Sequence, residues 1–103
     1  MIRSTVARVD LVALQSNFRA IRDSLAADPV SARRPPRIIA VVKANAYGHG
    51  AVRVALALED AGAPVLACAD IEEAIELRRG GVTIPILVFG ALSVSDLDGL
   101  FEF

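Results

Sequence analysis

Apolar positions along the chain alternate between two periods. Leu11, Leu14, Phe18, Ile21 and Leu25 recur at spacings of three and four, which predicts one buried stripe on a helix of about four turns. Residues 6–10 before it are short and apolar and read as a strand, ending at Asp10, a residue suited to cap a helix. Asp28-Pro29 stops the helix, and residues 30–37 form a polar, proline-rich connection whose basic run, Arg33, Arg34 and Arg37, reads as solvated. Residues 38–42 (IIAVV) are a continuous β-branched run, the kind usually covered on both faces in a parallel sheet. A polar and glycine-rich break follows, and a helical period resumes through Val54, Ala55 and Leu58 until Gly62, a C′ glycine. Residues 65–69 predict a second buried strand. Asp70 opens the next helix, with Glu73 completing an approximate capping box in which Asp replaces Ser or Thr. Ile71, Ala74, Ile75 and Arg78 carry that helix, Arg78 and Arg79 complement its negative end, and Gly80-Gly81 terminate it. Residues 85–89 predict a third buried strand and 95–101 a short amphipathic helix.

The predicted order is β-α and then β-α-β-α-β-α, an α/β class with right-handed crossovers onto a parallel sheet. Three parallel strands leave two open edges, and the chain ends on Phe101 and Phe103, so the sequence reads as the opening part of a larger architecture.

Composition narrows the classes. With 103 residues there is room for one domain, and 54% hydrophobic against 22% charged residues excludes a disordered tail. Eleven basic and 12 acidic residues offer neither a basic stripe for nucleic acid nor a polybasic patch for a membrane. The opening MIRSTVARVD has no apolar core for a signal peptide, and no apolar run approaches the ~20 residues of a membrane span. Cys68 is the single cysteine, so no internal disulfide forms and a reducing, cytoplasmic setting is expected.

One further count is more pointed. Ten of the 11 basic residues are arginine, and the single lysine, Lys43, falls in KANAYGH with the single tyrosine, Tyr47, and the single histidine, His49. Lys43 directly follows the first buried run, which places it at the carboxyl edge of the sheet, where α/β folds collect ligands. By alternation it shares a face with Ile39 and Val41. A stem packed among apolar neighbours disfavours the ammonium form and favours an amine that attacks aldehydes. The plainer alternative is a lysine snorkelling from a strand end. Gly48 and Gly50 permit unusual backbone geometry and close approach, at a helix N-terminus whose free amides suit an anion. Tyr47 offers a hydroxyl donor to a ligand oxygen, whereas His49 reads as capping or packing locally. No GxGxxG or Walker pattern is present.

The segment AVVKANAYGHG, residues 40–50, resembles the cofactor-attachment signature of alanine racemases, which use pyridoxal 5′-phosphate. ARVDL (7–11) with Leu14, Asn17 and Arg22, LACAD (66–70) with Glu73, Ala74, Leu77 and Arg78, and PILVFG (85–90) extend the likeness over nearly the whole chain. The resemblance implies the N-terminal part of a (β/α)8 barrel, an opening strand and helix followed by three βα units, with the second half-barrel and a C-terminal β domain outside these 103 residues. It implies L-alanine/D-alanine interconversion for peptidoglycan, in a cytoplasmic homodimer and without a metal. Lys43 would be the Schiff-base lysine and the base on the D-alanine face, and Tyr47 would hydrogen-bond the cofactor phosphate. Phe89, where relatives often carry leucine, would pack near the cofactor. The family's second base is a tyrosine of the partner subunit's β domain, a role Tyr47 does not fill. Two alternatives stay open, a racemase of another amino acid such as serine or lysine, and an inactive fragment or pseudo-enzyme that at most binds the cofactor. The fold-type III decarboxylases share the barrel but lack the YGHG continuation. Single-domain pyridoxal-phosphate homeostasis proteins are full barrels with a different lysine context.

Overall fold

The computed structural model describes residues 4–30, 33–90 and 92–103. Of the expected features, the 30–37 connection and the N-terminal decapeptide include positions outside the described residues. Helix α1 (Leu11–Ala27) begins where the sequence puts it, because the Asp10 carboxylate accepts from the Ala13 amide at 3.0 Å. Strand β1 (Ile39–Val41), a single turn α2 (Lys43–Tyr47), helix α3 (Ala51–Asp60), strand β2 (Val65–Cys68), helix α4 (Ile71–Arg79) and strand β3 (Ile86–Val88) follow. A 3-10 turn (Val94–Asp96) and a short helix α5 (Leu97–Glu102) complete the chain.

The three strands form one parallel sheet in the order β1-β2-β3, with Val41 paired to Ala67 and Ala67 to Leu87. The observed strands lie inside the predicted runs, each shorter by one or two residues. Both crossover helices end in the expected way. Beyond α3, the Gly62 amide bonds the Glu59 carbonyl and Ala63 bonds Leu58; beyond α4, Gly81 bonds Arg78 and Val82 bonds Leu77. Arg78 does more than complement the α4 dipole: its Nη1 donates to the Val82 and Ile84 carbonyls at 3.1 and 2.6 Å, tying the helix to the entry of β3.

Residues 6–10 depart from the expected opening strand. They are exposed and pair with none of the three strands, since an apolar run becomes a strand only where an edge accepts its backbone. The α1 stripe is also less buried than its period suggests. Phe18 is buried and Leu11 and Leu14 pack on the core, but Ile21 is exposed. Helix α1 lies against α3 rather than on the sheet, and Gln15 Nε2 donates to the Ala57 carbonyl at 2.9 Å to fix that pairing.

The core lies between the sheet and its helices. Ala55, Leu58, Leu66, Cys68, Ala74 and Leu77 form it, with Val42 and Val82 at its ends. Runs of this kind suit strands covered on both faces, but the helices of this chain cover only one. Ile39, Val41, Leu87 and Phe89, on the opposite face, remain substantially exposed. The result is a layer, 48 × 46 × 20 Å, with a radius of gyration of 16.0 Å. A closed domain of this length would have about 13 Å.

Candidate functional site

The backbone of α2 has the opposite hand to the helices around it. Ala44, Asn45, Ala46 and Tyr47 all have φ between 51° and 55°, and Gly48 and Gly50 follow at 88° and 93°. Left-handed backbone costs a non-glycine residue roughly 1–2 kcal/mol, and Asn is the only one of the four that tolerates it well. Such a turn persists only where the surroundings determine it, and such turns cluster at functional sites. Here the surroundings are explicit. The Ala46 amide donates to the Val42 carbonyl at 3.0 Å, and the Ala46 methyl is buried. The Gly50 amide donates to the Asn45 carbonyl at 3.0 Å, and Asn45 Oδ1 accepts from the Ala51 amide at 2.8 Å. The Glu73 carboxylate accepts from the Ala44 amide at 2.9 Å.

Period and composition do not single out Asn45, although a short amide side chain in a glycine-rich loop is itself a signal for capping. The bond from Ala51 also changes the expected anion site, because the first amide of α3 already has a partner. Gly48 and Gly50 are required by their positive φ and not by crowding: a Cβ at either would meet nothing within 4 Å.

Lys43 stands at the carboxyl edge of β1 on the open face of the sheet, as alternation with Ile39 and Val41 predicts. It is partly exposed, and its Nζ lies 6.0 Å from the centre of the Phe89 ring. That distance is at the limit of a cation–π contact. β2 runs between these residues, and its side chains on this face are small: Ala67 lies beside Val41 and Leu87, and Ala69 follows. The ladder continues past the strands, with the Val42 amide on the Ala67 carbonyl at 2.8 Å and Phe89 on Cys68 at 2.9 Å. The backbone just before Lys43 and at Phe89 is therefore held by hydrogen bonds to β2, across an alanine floor. The structure brings these two predicted residues together, and Tyr47 stands exposed at the far end of the turn.

His49 does what its local reading suggests. Its Nδ1 lies 2.9 Å from the Ala46 carbonyl, and the residue lines a shallow cavity of about 260 Å³ with Ala7, Val9, Leu11 and Arg53. Beneath the site, burial, together with the Glu73 and Asp70 charges, pushes the Cys68 thiol up to about 11. At the opposite end of the sheet, bonds from Thr83 hold the Glu59 carboxyl below its ordinary range. Among the described residues, no helix is long and apolar enough to cross a membrane.

A partly exposed primary amine, an aromatic ring beside it and a phenol on a fixed turn suit a ligand with a carbonyl, a flat ring and an anionic group. Comparison with known proteins finds relatives over most of the chain. The chain is 48% identical over 92 residues to alanine racemase of Symbiobacterium thermophilum, and 43% identical over 95 residues to alanine racemase 2 of Bacillus subtilis. These alignments cover 89% and 92% of this chain but 22% of each relative, so the chain spans about a quarter of the length of the curated relatives it matches. The structure of Clostridium difficile alanine racemase in complex with cycloserine superposes with a TM-score of 0.78 at 34% identity, over 95% of this chain and 26% of that one. Bacillus anthracis alanine racemase with bound L-Ala-P gives 0.72 at 41% identity, over 90% of this chain and 24% of that one. The parallel βα layer is accordingly part of a (β/α)8-type barrel. The profile described as "Alanine racemase, N-terminal domain" matches residues 9–102, and the chain belongs to that family.

Proposed function

We propose that this chain is the cofactor-carrying segment of a pyridoxal 5′-phosphate-dependent racemase of alanine, with Lys43 as the point of covalent attachment. The observation that carries the reading is the position of the chain's only lysine, at the carboxyl edge of the sheet, on its open face and beside Phe89. The donor set fits this cofactor: an amine for its aldehyde, a phenol for its phosphate and an aromatic side chain for its apolar surface.

When bound, the cofactor supplies the electron sink that stabilises a carbanion at the substrate Cα. The remaining roles belong to the chain. Lys43 would hold the cofactor through its amine, and its Nζ would take or return the Cα proton on one face. The Tyr47 hydroxyl would donate to a phosphate oxygen. Phe89, whose ring centre lies 6.0 Å from the Lys43 Nζ, would pack near the cofactor. Racemisation requires proton transfer on both faces, and one base serves one face. The resemblance implies that the second base is a tyrosine of the partner subunit in a homodimer, a role that Tyr47, the chain's only tyrosine and the phosphate's donor in this reading, would not fill.

The reading is tested by titrating the chain with pyridoxal 5′-phosphate and following the absorbance of the protein-bound imine. The wild-type chain should saturate at one equivalent and K43A should not. Replacing Tyr47 by Phe should weaken binding about 10- to 150-fold, since a hydrogen bond to a charged group is worth roughly 1.5–3 kcal/mol. Equal absorbance in wild type and K43A would sink the proposal.

A further inference from the structure

Asp70 and Glu73 have the spacing of a capping box, but only half of the box is made. Asp70 Oδ1 accepts from the Glu73 amide at 2.9 Å. The Glu73 carboxylate does not fold back on Asp70. Its Oε1 accepts from the Ala69 amide at 2.6 Å, and its Oε2 accepts from the Ala44 amide at 2.9 Å. Ala69 is the first residue beyond β2, and Ala44 is the residue after Lys43. One side chain, 29 positions from Ala44 in sequence, thus ties the left-handed turn to the end of the central strand.

We infer that Glu73 is a positioning residue for Lys43, acting through the backbone on either side of it. Val42 is buried and its amide is held by the Ala67 carbonyl; Ala44 is held by Glu73. With both neighbours fixed to β2, the Lys43 Cα has little freedom, and its side chain leaves the sheet toward Phe89. The chemistry requires a carboxylate. Two amide donors meet the side chain, and only an ionised carboxylate offers two acceptor oxygens and no donor. Glutamine would satisfy one amide and set its own N–H₂ against the other. Aspartate, one methylene shorter, does not reach both. Charge-assisted bonds of this type are roughly twice as strong as neutral ones, which suits a turn that the local sequence does not favour.

The inference rests on Lys43 as the cofactor-bearing amine. Glu59 supplies a control of similar build, since its Oε1 accepts from the Thr83 amide, the Thr83 hydroxyl and the Ile84 amide at the opposite end of the sheet. The full chain and its E73Q, E73D and E59Q variants are incubated with pyridoxal 5′-phosphate, reduced with borohydride, and assayed by mass for label on the Lys43 peptide. Displacements of about 1 Å can cost 10²-fold in rate, so labelling should fall about 10–100-fold in E73Q and E73D and stay at the wild-type rate in E59Q. Amide hydrogen exchange supplies the readout that needs no cofactor: Ala44 and Ala69 should be protected in the wild type, and at least one should lose protection in E73Q while the β2–β3 ladder keeps its own. Should E73Q fail to fold, E73D and the wild-type exchange rates decide. Wild-type labelling at Lys43 that persists unchanged in a folded E73Q or E73D overturns the inference alone, as does an unprotected Ala44 amide in the wild type. Wild-type label found away from Lys43 overturns the cofactor reading and this inference with it.

Discussion

Leu66 and Leu87 stand on adjacent strands of one sheet. Leu66 is fully buried, while Leu87 is 44% exposed. The contrast runs through the whole sheet. Val42, Leu66, Cys68 and Val88 face the helices and belong to the core or pack against it, whereas Ile39, Val41, Lys43, Leu87 and Phe89 project from the other side. Alternation along the strand assigns each residue to one population or the other. One face holds the fold together; the other carries the amine and leaves room for what reacts with it. A residue's place in the alternation therefore predicts whether its replacement costs stability or reactivity.

The sharpest way to break this comparison is a pair of truncations read by chemical denaturation. Leu66→Ala removes a fully enclosed side chain and should cost about 2–5 kcal/mol. Leu87→Ala, on the open face, should cost less than about 1 kcal/mol. Equal losses would mean that the open face is as structural as the packed one. A second contrast is chemical. With its thiol pushed up to about 11 by burial, Cys68 should alkylate near pH 8 about 100-fold more slowly in the folded chain than in denaturant. Rapid modification under native conditions would place Cys68 within reach of solvent.

Glu59 sharpens the comparison along the strands. Its carboxyl is held below the ordinary value of 4.5, first by the Thr83 hydroxyl. A lowered folded value means that the charged form is the stabilising one. Its contribution is present above about pH 4.5 and is lost as pH falls through the lower folded value. Thermal melts should show a smaller acid destabilisation in E59Q than in the wild type, with no change in Lys43 reactivity. The smallest effect is expected at Phe89. An exposed cation–π contact is worth roughly 0.5–1 kcal/mol, so Phe89→Ala should change the Lys43 labelling rate by about two- to fivefold at most. A larger change would mean that Phe89 contributes more to attachment than its contact with the amine.

Much of this division is legible in the sequence. Period-two alternation sets Lys43 beside Ile39 and Val41, and Asp10, Asp70, Gly62 and Gly81 mark helix ends because each acts through bonds to its immediate neighbours. What is not legible is decided by distant groups. Nothing in Ala44-Asn45-Ala46-Tyr47 announces a left-handed turn; its hand is fixed by Glu73, Asn45 and the buried Ala46 methyl, and the first of these bonds spans 29 residues. Residues 6–10 have strand-like composition, but pairing depends on an available edge, which composition does not specify. Spacing marks Glu73 as a capping residue but does not reveal that its carboxylate turns to Ala69 and Ala44.

The central claim is that the open face presents one reactive amine. The chain has two primary amines, the N-terminus and Lys43, because every other basic side chain is arginine or histidine. Substoichiometric pyridoxal 5′-phosphate, borohydride reduction and peptide mass mapping therefore give a two-way answer. The account predicts that the added mass falls on the peptide containing Lys43, and that prior denaturation abolishes the preference. Label confined to the N-terminal amine, or divided equally between the two in the folded chain, would contradict it.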